Sequence, residues 1–141
     1  MTKKNESIKE NLSPKIERLI DANLNRLKEG LRVIEDICRY IHNDKILTPQ
    51  IKKLRHQLQT AYSKDRLQYR DILGDVQKTS THSELQRNTL DDLSIANFSR
   101  AQESARVLEE VFKLQNIDHS ELFKELRYHI YDIERQYFKQ Y

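Results

Sequence analysis

Ala22-Asn23-x-x-Arg26-x-x-Glu29-x-x-Arg32-Val33-x-Glu35 decides the fold, because it returns 74 positions later as Ala96-Asn97-x-x-Arg100-x-x-Glu103-x-x-Arg106-Val107-x-Glu109. Seven of the fourteen positions are identical, and five of those seven are polar. A helix that recurs only for packing keeps its apolar spacing and lets its polar face drift, so a returning Asn, Arg and Glu implies side chains used twice. A second echo follows each copy: Leu54-Arg55-His56-x-Leu58 and Leu126-Arg127-Tyr128-x-Ile130. The repeating unit therefore reads as a helix pair. The expected fold is all-α and four-helix bundle-like, two helix hairpins related by internal duplication.

Composition points the same way. The 141 residues suit one domain, and two glycines and two prolines are too few to punctuate a sheet-rich fold. With 25 Lys plus Arg against 22 Asp plus Glu, interspersed along the chain, no basic face is available for nucleic acid or an anionic membrane. A lone cysteine, Cys38, excludes a disulfide framework and suits a reducing compartment. No apolar run approaches the roughly 20 residues that span a bilayer, and the N-terminus lacks the apolar stretch of a secretory signal. A cytoplasmic protein is expected.

Residues 1–12 are polar and aperiodic and read as a flexible tail ahead of one helical domain over 13–141. Repeat one is expected over about 13–66. Its first helix starts at Ser13-Pro14 and reaches about His42, and its second starts at Thr48-Pro49 and reaches about Asp65. A polar connecting segment follows over about 70–87, broken at Gly74 and carrying Lys78-Thr79-Ser80-Thr81. Repeat two is expected over about 89–139, with a helix capped at Thr89 and another starting near Asp118.

At 100 degrees per residue, Leu19, Ala22, Arg26, Gly30, Val33, Ile37 and Tyr40 share a stripe of the first helix, with Asn23 and Glu29 on its margins. The same arithmetic groups Leu93, Ala96, Arg100, Ser104, Val107 and Val111, flanked by Asn97 and Glu103. Each arginine is thus expected inside an apolar face, at a cost of several kcal/mol unless an anion satisfies it. Two readings stand side by side. In one, Arg26 and Arg100 pair with Glu29 and Glu103, on the same helix or across the pseudo-two-fold. In the other, the arginines, with Asn23 and Asn97, line a central pocket for a small anion, with Ala22, Gly30, Ala96 and Ser104 leaving room for it. Arg32, Glu35, Arg106 and Glu109 fall off the stripe and are expected to form solvent-side ion pairs.

The connecting segment, from Arg70-Asp71-Ile72-Leu73-Gly74-Asp75-Val76 to Arg87, is a second candidate site. Asp71 and Asp75 could hold magnesium or act as a base, and Arg87 could clamp a phosphate; a plain solvated turn is the simpler reading of the spacing. The five histidines form no zinc-ligand pattern, so no metal centre is expected. No Walker loop, dinucleotide fingerprint or nucleophile elbow is present. Seven tyrosines, four of them after position 127, are assigned to the core or to an oligomer contact, and a homodimer is compatible with them.

Asp21-Ala22-Asn23-Leu24-Asn25-Arg26, Glu29-Gly30-Leu31-Arg32-Val33 with Glu35-Asp36, Leu54-Arg55-His56, Arg70-Asp71 ahead of Gly74-Asp75-Val76, and Ala96-Asn97 through Arg106-Val107-Leu108-Glu109-Glu110 together resemble a helical domain often fused in front of thiamin-phosphate synthase. That family also occurs as a stand-alone protein and has been proposed as an alternative hydroxymethylpyrimidine-phosphate kinase. The resemblance covers about residues 16–135. This chain carries Gln77 where members commonly have a second glycine, and these 141 residues do not include a synthase barrel.

The resemblance implies thiamine biosynthesis, with a small phosphorylated aminopyrimidine as ligand and a kinase reaction using ATP and Mg2+. The residues expected to carry it are Asp71 and Asp75 for catalysis, and Asn23, Arg26, Glu29, Asn97, Arg100, Glu103, Arg70 and Arg87 for substrate binding. A non-catalytic ligand or partner domain acting in trans with thiamin-phosphate synthase is the alternative, and would need no cofactor. A purely structural adaptor is the third class.

Overall fold

The computed structural model describes residues 3–79 and 87–141. The architecture is all-α, with no strand among the described residues. Among the described residues four α-helices make the fold: α1 (Lys3–Asp36), α2 (Leu47–Gln57), α3 (Leu90–Phe112) and α4 (Ile117–Gln140). A π turn, Ile37–Ile41, extends α1, and 3-10 turns at Leu58–Ala61 and Lys64–Tyr69 follow α2. The central pair is α1 against α3, with α2 flanking α1 and α4 flanking α3. None of the described helices is long and apolar enough to cross a membrane.

Several expected boundaries move. The first helix begins at Lys3, not at Ser13-Pro14, and carries Pro14 inside it at the cost of one backbone hydrogen bond. The second ends at Gln57 and passes into 3-10 turns well short of Asp65. Thr89 caps α3 as expected, its hydroxyl accepting the Asp92 N–H at 3.0 Å. For α4 the cap is Asn116, not Asp118, since its amide oxygen accepts the N–H groups of Asp118 and His119. Residues 80–86, with Ser80 and Thr81 of the connecting segment, lie outside the described residues.

The core stripe lies one position away from the expected one in both central helices. In α1 the buried line is Ile20, Leu24, Leu27, Leu31, Ile34 and Cys38; in α3 it is Ser94, Phe98, Ala101, Ala105, Leu108 and Phe112. These sets correspond at the same offset as the sequence echo. Branched and aromatic side chains bury far more apolar area than Ala22, Ala96 and Gly30 do, so the heavier stripe turns inward. Arg26, Arg100, Ala22, Leu19 and Tyr40 consequently face outward, and no arginine of the fourteen-residue pattern sits in an apolar core.

The buried ion pairs are made by other members of the pattern. Glu35 and Glu109, expected on the solvent side, are both buried. Glu35 receives Arg55 at 3.3 Å, and Glu109 receives Arg127 through Nε at 3.0 Å and Nη2 at 2.9 Å. Each carboxylate on a central helix is thus answered by the arginine of the second echo on the flanking helix. Arg32 and Arg106 do pair at the surface, with Glu35 and Asp36 and with Glu109 and Glu110.

A polar cluster fastens the C-terminus to the end of α1. Asn43 takes a left-handed φ of 51°, which asparagine tolerates, and turns the chain out of the π turn. His42 Nε2 lies 2.9 Å from the Tyr137 hydroxyl, which also meets Ser94 Oγ at 3.1 Å. Asp44 Oδ1 accepts the N–H groups of Ile46 and Leu47, and its Oδ2 accepts the Tyr141 hydroxyl at 2.8 Å. Burial alone would raise the Asp44 carboxyl, but the bonds from Leu47, Tyr141 and Ile46 outweigh it and hold the group below its ordinary range.

Asp44→Ala is therefore expected to cost about 1–2 kcal/mol at neutral pH. Because the folded-state value is depressed, the ionised form's contribution is complete above the unfolded value of 3.8 and is lost as pH falls through the folded one. The gap between variant and parent in thermal melts should hold from pH 5 to 8 and narrow below about pH 4. An unchanged gap in acid would contradict this role.

Candidate functional site

The outward face of α1 and α3 carries two concavities that meet. One, about 410 Å3, lies where the start of the connecting segment crosses α1, and is bordered by Lys15, Arg18, Asn23, Arg26, Arg70, Asp71 and Asp75. The other, about 450 Å3, runs between α1 and α3, bordered by Asn23, Arg26, Arg87, Ser99, Arg100, Glu103 and Ser104. Asn23 and Arg26 belong to both, so the two candidate sites of the sequence form one open groove. Each lobe lies in the size range of small-ligand sites.

Close helix packing sets the groove floor. A Cβ on Gly30 would stand 3.3 Å from the Asn97 carbonyl and 3.6 Å from Ala101, so the missing side chain lets α1 and α3 approach just beside Arg26 and Arg100. Gly30 is thus spent on helix contact and makes no room for a ligand. Ala22, Ala96 and Ser104 do line the lobes.

Arg26 and Arg100 differ from the other arginines. Among the described residues neither guanidinium has a hydrogen bond, an ion pair or a ring contact. Arg32, Arg55, Arg66, Arg70, Arg106, Arg127 and Arg135 pair with carboxylates, Arg18 donates to the Asp71 carbonyl, and Arg39 lies over Tyr40. The pairing of Arg26 with Glu29 and Arg100 with Glu103 does not occur. Exposed cations left unpaired at a concave surface are available to an anion, and their planar forks suit phosphate or carboxylate.

The connecting segment is anchored through Arg70. Its Nε and Nη2 both donate to the buried Asp21 carboxylate at 2.8 Å, which raises the guanidinium above its ordinary value and spends its best donors on holding the segment. Arg70 thus positions the lobe more than it offers a free cation. Asp71 Oδ1 accepts the Gly74 N–H at 2.7 Å and Asp75 Oδ1 accepts the Gln77 N–H at 3.0 Å, as turn-forming aspartates do. A side chain at Gly74 would collide with the Asp71 carboxylate. Among the described residues the second oxygen of each aspartate has no hydrogen-bond partner and is left over for another use.

Two expected binding residues stand apart. Asn97 is buried and donates to the Leu93 carbonyl at 2.9 Å, away from both lobes. Asn23 makes the matching bond to Leu19 at 3.0 Å yet still borders the groove. Glu29 is exposed outside the lining, near enough to Arg70 to favour its charge. Lys15 and Arg18 were not picked out by the sequence reading. They precede the repeated pattern, and only the crossing of the connecting segment brings them to the site.

As a class, this is a helical domain with an arginine-bordered surface groove. The ThiD2 family model matches residues 18–136, and the chain belongs to that family. It is 39% identical over 132 residues to a thiamine-phosphate synthase of Thermosynechococcus vestitus, covering 89% of this chain and 38% of that protein. It is 37% identical over 129 residues to one from Nostoc punctiforme, covering 91% and 37%, and 39% identical over 120 residues to one from Synechocystis sp., covering 84% and 35%. The chain therefore spans little more than a third of the length of these curated relatives. No solved structure matches.

Proposed function

We propose that the groove binds a phosphorylated aminopyrimidine in thiamine biosynthesis, and that the protein phosphorylates hydroxymethylpyrimidine phosphate with ATP. The observation that carries this reading is the pair of unpartnered guanidinium groups, Arg26 and Arg100, bordering one concavity beside Asn23. They suit a phosphate monoester, and the Asn23 amide suits the edge of an aminopyrimidine ring. Family membership and the thiamine-phosphate synthase relatives support the biosynthetic context.

The chemistry asks little of a base. A phosphate monoester has its second pKa near 6, so at neutral pH the attacking oxygen carries no proton. That oxygen bonds to the terminal phosphorus of ATP as the bond to the bridging oxygen breaks, leaving ADP and a pyrimidine diphosphate. The protein's task is to align two anions and neutralise their charge. Arg26 and Arg100 hold the acceptor phosphate in line. Asp71 and Asp75, each with one oxygen left over, would hold Mg2+ alongside the nucleotide phosphates, and the ion supplies charge neutralisation there. Two carboxylates suit magnesium, which keeps waters and substrate oxygens as its other ligands. They do not make a protein-only cage, and no group of three potential metal ligands occurs among the described residues.

A second reading, a non-catalytic partner of a thiamin-phosphate synthase, is favoured by Ile72, Leu73 and Val76. All three are exposed, Val76 at 99%, and Ile72 borders the groove. Such exposed apolar side chains could meet another protein.

Titration calorimetry with hydroxymethylpyrimidine phosphate, followed by phosphorus NMR with ATP and Mg2+, tests both. Binding with ADP formation is expected; binding without turnover removes the kinase step, and absence of binding removes the ligand reading and leaves only the partner reading. Arg26→Ala and Arg100→Ala should each weaken binding about ten- to hundred-fold, as for a charge-assisted hydrogen bond. Their melting transitions should stay within about 0.5 kcal/mol of the parent, since neither residue is buried.

A further inference from the structure

We infer that the groove takes two phosphate-bearing ligands at once: a phosphate monoester in the lobe between α1 and α3, and a polyphosphate in the lobe under the connecting segment, with Arg26 shared. The inference rests on the anion-binding reading above and deepens it by dividing the site.

Each lobe has its own cations and its own volume. The α1–α3 lobe sets Arg26 and Arg100, both unpartnered among the described residues, beside Glu103 in about 450 Å3. A single phosphate on a small ring matches that charge and size. The other lobe, about 410 Å3, has Lys15 and Arg18 in addition to Arg26, and it alone contains Asp71 and Asp75. Those carboxylates would repel a bare polyphosphate and would attract one that carries a divalent cation, so charge assigns the magnesium-bound ligand to this lobe. Lys15 and Arg18 lie one helical turn apart on α1, spaced to follow an extended chain of phosphates.

The junction supports co-occupancy over alternation. The lobes share only Asn23 and Arg26. Two anions meeting there repel unless a cation stands between them. A guanidinium has five N–H donors in a plane, enough to serve one anion from each side. Arg26, with no internal partner, is the arginine in that position. Arg100 borders only one lobe, and Lys15 only the other.

Inorganic phosphate and magnesium tripolyphosphate are the probes, each titrated into the full chain alone and after saturation with the other. Each is expected to bind at one equivalent, and saturating phosphate should leave one equivalent of tripolyphosphate binding. Arg100→Ala should weaken phosphate about ten-fold or more and tripolyphosphate less than about three-fold, Lys15→Ala should do the reverse, and Arg26→Ala should weaken both. Displacement of one probe by the other overturns the inference, as does equal weakening of both probes by Arg100→Ala and Lys15→Ala. If the probes compete while hydroxymethylpyrimidine phosphate binds through Arg26 and Arg100, the division into lobes fails together with the direct transfer that needs both ligands, and the pyrimidine-phosphate binding of the proposed function stands. If the probes bind together while the pyrimidine phosphate does not bind, the division stands and the proposed function fails.

Discussion

Arg127→Ala is expected to lower the unfolding free energy by about 3–5 kcal/mol, because it leaves the buried Glu109 carboxylate without its main counter-charge. Both side chains are over nine-tenths buried, and Glu109 Oε2 takes two donors from one guanidinium. Arg106 also pairs with Glu109, at 3.6 Å, but it is exposed, so solvent screens its charge and it compensates only in small part. Arg127 also lies 4.9 Å above the Tyr128 ring, a contact that disappears with it. For a chain of this length the loss corresponds to a melting temperature lower by about 10–20 °C. Replacing both partners, Glu109→Leu with Arg127→Met, should recover most of it, because no unpaired charge is then left inside. The matching Arg55→Ala should cost less, since the Arg55–Glu35 contacts are longer and Arg55 is more exposed. An Arg127→Ala melt within about 1 kcal/mol of the parent would show that water or rearrangement satisfies Glu109.

Gly30→Val is the second large effect, expected at about 1–3 kcal/mol with a simultaneous loss of ligand affinity. Its Cβ would press on the Asn97 backbone carbonyl, which belongs to α3 and cannot rotate away as a side chain could. Relief requires α1 and α3 to separate, and that separation widens the groove between Arg26 and Arg100. Gly30→Ala is the control. It gains about 1 kcal/mol of helix propensity while meeting the same carbonyl with a single methyl group, so its net change should be small. If Gly30→Val bound the pyrimidine phosphate as tightly as the parent, the helix spacing would not be what sets the site.

The all-α class was legible from the doubled pattern and the scarcity of glycine and proline. So were the Thr89 cap and most of the residues that border the groove. The inward face was not. Arg26 was expected in a core stripe, yet Ile20, Leu24, Leu27 and Leu31 turn inward and leave it outside. Glu35 and Glu109 were assigned to solvent, although Arg55 and Arg127, the residues that bury them, stood in the quoted second echo. Nothing local marks Asn116 as a better cap than Asp118 until the turn after α3 places it.

By itself the sequence determined which side chains share a helix face, because a 3.6-residue period fixes their angles relative to one another. It did not determine which face points inward, because that depends on the surface the neighbouring helices present. Tertiary structure also joined the two candidate sites. Arg70 reaches Asp21 across 49 residues, and that bond lays Asp71 and Asp75 beside Arg26. Periodicity is a property of one segment, whereas a groove lined by α1, α3 and the connecting segment exists only once their packing has brought distant residues together.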